Sequence, residues 1–165
     1  MNESLSTQSL IKKAYVAGFM FRLISVELGM EVALVRKIKG GDFQVGKLNG
    51  IGGKIEALKD SDGCYCDGQE SPVTAMVREF EEETGTKTNP NEWHNFCSLN
   101  GIDWVVYFFK NMSTGHYKLQ TMEEEEIAWY PIKNLHNESI VPNLKWLIPL
   151  ALDHHVKSAT ILETI

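Results

Sequence analysis

Cysteine is scarce in this chain. There are 3 in 165 residues, an odd number behind an opening, MNESLSTQSLIKKAY, that has no basic leader joined to an apolar run. A secreted disulfide framework is therefore excluded, and a reducing cytoplasm is the expected setting. Long apolar runs are missing too: the longest, at 105–109 and 147–152, fall far short of the roughly 20 residues that cross a bilayer. Proline is rare, at 5 residues, and charged residues make up only 23%, which argues against a disordered or fibrous chain. A basic excess is also lacking, with 16 Lys and Arg against 22 Asp and Glu. Many of the acids sit in two short runs, Glu79 with 81–83, and 123–126. The acidity belongs to two places rather than to the whole surface, and no broad basic face for duplex nucleic acid is implied.

What is present suffices for one core: 43% apolar and 10% aromatic residues in a length typical of a single domain. Residues 1–12 are polar and are expected to form a flexible tail. Residues 14–21 and 31–38 read as buried strands. Between Lys39 and Gly53 lie 6 glycines, too many for a regular element and suited to a backbone that must turn tightly or approach a ligand. Residues 57–67 read as a polar insertion. Ser71-Pro72 opens a helix, with serine as N-cap and proline at the first helical position, and Gly85 closes it. Residues 93–99 and 103–110 read as strands, the second apolar on both faces and so central in a sheet. A short strand at 127–130 follows. The spacing of Leu144, Leu147, Ile148, Leu150 and Ala151 predicts an amphipathic helix over 141–156. Strands and two helices on one core imply an α+β fold, an α/β/α sandwich with a mixed sheet in one domain over 1–165.

The stretch Arg78-Glu79-Phe80-Glu81-Glu82-Glu83-Thr84-Gly85 carries the chemistry. On a helix Glu79, Glu82 and Glu83 stand at i, i+3 and i+4 and share a face, while Val73, Val77, Phe80 and Thr84 share another. Like charges at these spacings cost an isolated helix roughly 0.2–0.5 kcal/mol per pair. A sequence chosen only for stability would carry lysines among them, so the face is either a solvated acidic one or the seat of a cation. Hard divalent ions take oxygen ligands, and Mg²⁺ in particular keeps waters and substrate phosphates beside a few carboxylates. Asp60-Ser61-Asp62-Gly63 has the start of a calcium loop but lacks the glutamate that would close one. Cys64 and Cys66 have only Cys97 to complete a zinc site, so all three read as reduced thiols.

Gly52-Gly53-Lys54, then Glu70, seven residues, and Arg78-Glu79-Phe80-x-Glu82-Glu83-x-Gly85 resemble the Nudix box, the loop-helix motif of hydrolases that cleave nucleoside diphosphates linked to another group. There are two departures. Sixteen residues separate Gly53 from Glu70 where the family has far fewer, and the closing aliphatic position holds Thr86. The resemblance implies that Glu79, Glu82 and Glu83 bind Mg²⁺, with Mn²⁺ as the alternative ion and the Gly52 carbonyl as a backbone ligand. A polarised water would then attack a phosphorus of the diphosphate bridge. It points to Glu79 as general base, while some members use a carboxylate from a later loop, for which Glu126 is the candidate here. Arg78 flanks the acidic face and is expected to pair with a carboxylate of the box and hold its rotamer. Lys54, beside the glycines, contacts either a substrate phosphate or a structural partner.

Leu48-Asn49-Gly50-Ile51-Gly52-Gly53-Lys54 is similar to a segment of the MutT-type oxidised-purine triphosphatases in which the asparagine hydrogen-bonds the purine. A carboxamide offers a donor and an acceptor to a base edge, so Asn49 either reads a purine or caps the turn. Pro142-Asn143-Leu144-Lys145-Trp146 is similar to the start of the C-terminal helix in that subgroup, which makes Asn143 a candidate base contact. Trp129 and Trp146 either stack on a base or fill the core. The resemblance thus implies a cytoplasmic, Mg²⁺-dependent enzyme, a monomer or homodimer, with a small nucleotide as partner and no membrane or duplex nucleic acid. It would convert a (d)NTP or an oxidised purine dNTP to NMP and pyrophosphate. The alternatives are the same chemistry on an ADP-sugar, a dinucleoside polyphosphate or an RNA cap, and a catalytically silent nucleotide-binding module, against which the intact Glu79, Glu82 and Glu83 argue.

Overall fold

The computed structural model describes residues 13–59, 65–113 and 117–162. The expected tail at 1–12, the stretch at 60–63 and Cys64 lie outside them. Strands β1 (Lys13–Ser25) and β2 (Gly29–Arg36) are apolar along most of their length, and successive side chains of a strand point to opposite faces. Val16 and Met20 of β1 and Ala33 and Val35 of β2 enter one core; Phe19, Phe21, Val32 and Leu34 enter another. A strand buried on both faces needs a layer on each side, and the chain supplies two. On one side lies α1 (Pro72–Thr84) with Ala75, Met76 and Phe80. On the other lies α2 (Leu144–Leu152) with Leu144, Leu147 and Ile148.

The short strand β3 (Leu48–Asn49), β6 (His94–Asn100), β7 (Trp104–Ser113), β8 (Ile127–Pro131) and β9 (Ala159–Leu162) complete the main sheet. Its order is β3-β2-β1-β7-β6-β9, with β8 also paired to β2. Strand β7 is central, as its two apolar faces imply, and runs parallel to β1 from Lys13↔Trp104 to Arg22↔Ser113. The β6–β9 pair is parallel and the β1–β2, β2–β8 and β6–β7 pairs are antiparallel, so the sheet is mixed.

Helix α1 starts and stops where its caps dictate. Ser71 Oγ accepts the Thr74 N–H at 3.2 Å, and Gly85, at φ 65°, donates its N–H to the Glu81 carbonyl at 2.8 Å. Its fully buried stripe is Ala75, Met76, Phe80 and Thr84, with Val73 and Val77 only partly covered. The closing helix is shorter than the expected 141–156. Before it, Val141 donates its N–H to the Leu48 carbonyl at 3.0 Å, which holds the chain extended against β3. After it, the extended Asp153 ends the helix, and the chain goes on to form β9. The expected insertion is a hairpin, β4 (Ala57–Lys59) with β5 (Tyr65–Gln69), and Cys66 lies in its second strand. Cys97 is fully buried in the α2-side core.

The glycine-rich segment runs antiparallel beside the first half of β1. Gly18 donates its N–H to the Ile51 carbonyl at 2.7 Å, Val16 to Gly53 at 2.9 Å and Ile55 to Ala14 at 2.9 Å. Gly52, between the first two of these bonds, has φ 150°, and a Cβ there would lie 2.3 Å from the Val16 carbonyl oxygen. Only glycine allows this approach. Gly52→Ala is expected to lower stability by about 1–3 kcal/mol, the scale of backbone strain, in a denaturant titration; an unchanged midpoint would contradict this placement.

Candidate active site

Arg78, on α1, is the hub of the site. Its Nη2 donates to Glu70 Oε1 at 2.6 Å and to the Lys54 carbonyl at 3.0 Å; its Nη1 donates to Glu79 Oε1 at 3.0 Å and Glu82 Oε2 at 2.8 Å. A planar fork of donors is suited to such branching. Glu70 reaches Arg78 because the hairpin returns the chain to its starting point. The Glu70 N–H bonds the Glu56 carbonyl and the Glu56 N–H bonds Glu70 Oε1, both at 3.0 Å. The insertion therefore leaves the two halves of the motif side by side. Burial works to raise the Glu70 pKa, and the bonds from Arg78 and the Glu56 N–H outweigh it, holding the carboxyl below the ordinary range.

The carboxylates of α1 differ in environment. Glu82 is half exposed. The Glu79 carboxyl lies against Gly53, where an added Cβ would meet its atoms at 2.5–2.6 Å. Burial raises its pKa, opposed by Arg78 and assisted by Glu82 and Glu70. Glu83 is buried at 9% exposure, its Oε2 has no hydrogen-bond partner, and its pKa is pushed up to about 8. Burial is the main cause; Lys37 opposes it, and Glu79, Glu123 and Glu125 add to it.

A loop from β7 to β8 crosses this face, tied down at both ends. Gln120 and Met122 donate their N–H groups to the Thr84 and Glu83 carbonyls, each at 3.1 Å. At the far end Glu125 Oε1 accepts the Ile38 and Lys39 N–H groups at 2.9 and 3.1 Å, and Lys37 donates to its Oε2. Glu126, the expected loop candidate, is exposed and gives its backbone carbonyl to the Arg36 N–H at 2.8 Å. The charges of Glu123 and Glu125, on the same loop, add to the rise of the Glu83 pKa.

Among the described residues no three ligating side chains converge into a ready-made metal cage. The residues nevertheless fit a hard divalent ion. Glu83 Oε2 is buried without a partner, Glu79 is raised beside it, and an ion that retains waters and phosphates needs only a few carboxylates. A buried, partnerless carboxyl otherwise holds a proton.

A cavity of about 500 Å³ adjoins the glycine segment. Asn49, Gly52, Gly53 and Asn143 line it together with Tyr15, Phe43 and Trp104. Asn49 Oδ1 accepts the Gly50 N–H at 2.8 Å. Asn143 makes no helix-capping bond, and its Oδ1 is buried without a partner. The Lys54 side chain is exposed, outside the cavity lining. Neither Trp129 nor Trp146 lines it: Arg22 covers Trp129 at 4.1 Å, and Trp146 stands 38% exposed on α2. The aromatic walls that sequence reading missed, Tyr15 and Trp104, are strand residues whose spacing looks like any other core pattern. Lys37, also missed, sits just past the end of β2 with no motif around it.

The site is thus a glycine-lined backbone laid beside an arginine-clamped acidic helix, on a mixed sheet between two helical layers. The NUDIX domain model matches residues 23–150, and the chain belongs to that family: it is a Nudix pyrophosphohydrolase acting on a nucleoside diphosphate-linked substrate. No curated protein matches the sequence. Among solved structures, MutT from Aliivibrio salmonicida and Vibrio cholerae is similar at 22% identity and TM-score 0.59, over 84% of this chain and 95% of that one. The mutator MutT protein of Bacillus halodurans is similar at 18% identity and TM-score 0.62, over 92% and 90%. The NUDIX domain of Shewanella oneidensis NrtR, solved in complex with ADP ribose, is similar at 16% and 0.62, over 85% and 86%. These are likenesses of fold.

The Glu83 environment makes a pH prediction. A carboxyl raised from 4.5 to about 8 contributes stability that is complete below the unfolded value and is lost as pH rises through the folded one. The metal-free protein should therefore lose stability between about pH 4.5 and pH 8 in denaturant titrations, and Glu83→Gln should flatten that slope. An equal slope in both proteins would show that Glu83 titrates normally.

Proposed function

We propose that the protein hydrolyses a nucleoside triphosphate, a (d)NTP or an oxidised purine dNTP, to the monophosphate and pyrophosphate with Mg²⁺. The observation that carries this reading is the partnerless, buried Asn143 Oδ1 in a cavity shared with Asn49 and the glycine segment. A polar group buried without a partner favours a ligand that supplies one, and a base edge supplies donors at that place. The size suits a nucleoside, and its glycine-lined end leads to the carboxylates of α1.

Glu79, Glu82 and Glu83, with the Gly52 carbonyl, would hold Mg²⁺, which when bound neutralises phosphate charge and lowers the pKa of water. Glu79, pressed against Gly53 and raised by burial, is the general base that takes the proton from the attacking water. A phosphorus–oxygen bond forms from that water, the bridging phosphorus–oxygen bond breaks, and pyrophosphate leaves. Arg78 keeps Glu79 and Glu82 in register by its hydrogen bonds. Glu126 or Glu123 is the loop carboxylate that would assist, since Glu125 is held by Lys37 and two backbone N–H groups. A second reading, hydrolysis of ADP-ribose, is favoured by one observation: a fold neighbour was solved with ADP ribose bound.

Phosphate and pyrophosphate release from dNTPs, 8-oxo-dGTP, ADP-ribose, diadenosine polyphosphates and capped RNA, with Mg²⁺ and with chelator, tests this. Pyrophosphate from a purine triphosphate only with metal is the expected result; turnover of ADP-ribose alone would move the function to the second reading. Glu82→Gln should abolish turnover yet keep the fold, because an amide oxygen still accepts from Arg78. Full activity in that variant would refute the metal-site assignment.

A further inference from the structure

A phosphate-chain substrate brings several negative charges to a site that already holds the carboxylates of α1 and of the 123–126 loop. Cations have to meet it. Arg78 is committed to Glu70, Glu79, Glu82 and the Lys54 carbonyl, and the Lys54 side chain lies outside the cavity lining. Lys37 is the only basic side chain among the described residues lining the cavity of Asn49, Gly52, Gly53 and Asn143. It also lines a second, acidic cavity with Lys39, Glu123, Glu124 and Glu125, so it stands where the two meet.

Its partner in the free protein is Glu125. The pair is largely buried, with side chains 19% and 12% exposed, so the ammonium is held in place rather than wandering in solvent. Glu125 does not depend on Lys37 alone, because its Oε1 takes the Ile38 and Lys39 N–H groups. The ion pair can therefore open while the loop stays moored to the end of β2. An ammonium with three rotatable donors suits such an exchange between anions.

We propose that Lys37 is a phosphate-binding residue of this site, held by Glu125 until a phosphate of the substrate displaces the carboxylate. The inference takes its substrate class from the triphosphate reading, but its test needs no turnover.

Calorimetric titration with inorganic tripolyphosphate in the presence of Mg²⁺ compares wild type with Lys37→Gln, Lys37→Arg and Glu125→Gln. Lys37→Gln should bind about tenfold more weakly, the scale of one charge-assisted hydrogen bond. Lys37→Arg should recover most of that loss, and Glu125→Gln, which removes the competing anion, should bind more tightly than wild type. Unchanged hydrogen exchange at the Ile38 and Lys39 amides in Lys37→Gln would show that the loop is intact. Equal affinity in wild type and Lys37→Gln, or no tripolyphosphate binding by wild type, would overturn the proposal. Should Lys37→Gln fail to fold, Glu125→Gln decides: tighter binding supports the assignment and unchanged binding overturns it. Lys37-dependent binding in a protein that hydrolyses none of the triphosphates would refute the triphosphate reading and leave Lys37 in its role.

Discussion

One guanidinium holds the acidic face together. Arg78 ties the glycine segment through the Lys54 carbonyl, the returning arm of the hairpin through Glu70, and two carboxylates of α1. Without that charge, Glu70, Glu79 and Glu82 would repel one another across a partly desolvated space. Half-buried anions left without a partner are costly. The elements that meet there are fixed independently by the sheet, the serine cap and the left-handed Gly85, so the clamp adjusts rotamers rather than creating the fold.

Against this satisfied cluster stands Glu83, one residue further along α1 and buried with an oxygen that has no partner. A sequence selected for stability alone would place glutamine or leucine there. Keeping a carboxyl whose pKa is pushed up to about 8 lowers stability at neutral pH. Such local cost is common where a site must bind a cation or react. The two kinds of glutamate divide the work: Glu70 is neutralised for good by Arg78, while Glu83 stays in want of a counter-charge. The loop that adds Glu123 and Glu125 to this field is anchored to the same helix end through the Glu83 and Thr84 carbonyls.

Much of this was legible in the sequence, for identifiable reasons. The alternation of β1 and β2, the two apolar faces of β7 and the Ser71-Pro72…Gly85 frame of α1 are local signals, and the structure follows them. The shared face of Glu79, Glu82 and Glu83 follows from helical spacing. What stayed hidden depends on distant partners. Strand β3 is two residues long and owes its pairing to Val35 and Arg36; β9 pairs in parallel with β6, far from it in sequence. The closing helix starts late because Val141 is captured by Leu48. Four consecutive glutamates at 123–126 carry no periodicity that says which one turns inward. Lys37 acquires meaning only once two cavities meet at its side chain.

The claim on which the account rests is that the buried face of α1 is built for a divalent cation. Carboxyl-carbon NMR of Glu83, titrated with and without Mg²⁺, addresses it at the atom concerned. The expected result is a midpoint near the raised value of about 8 in the metal-free protein and a fall to the ordinary carboxylate range or below when Mg²⁺ is added, because a bound cation favours the charged form. A midpoint that Mg²⁺ leaves in place would contradict it.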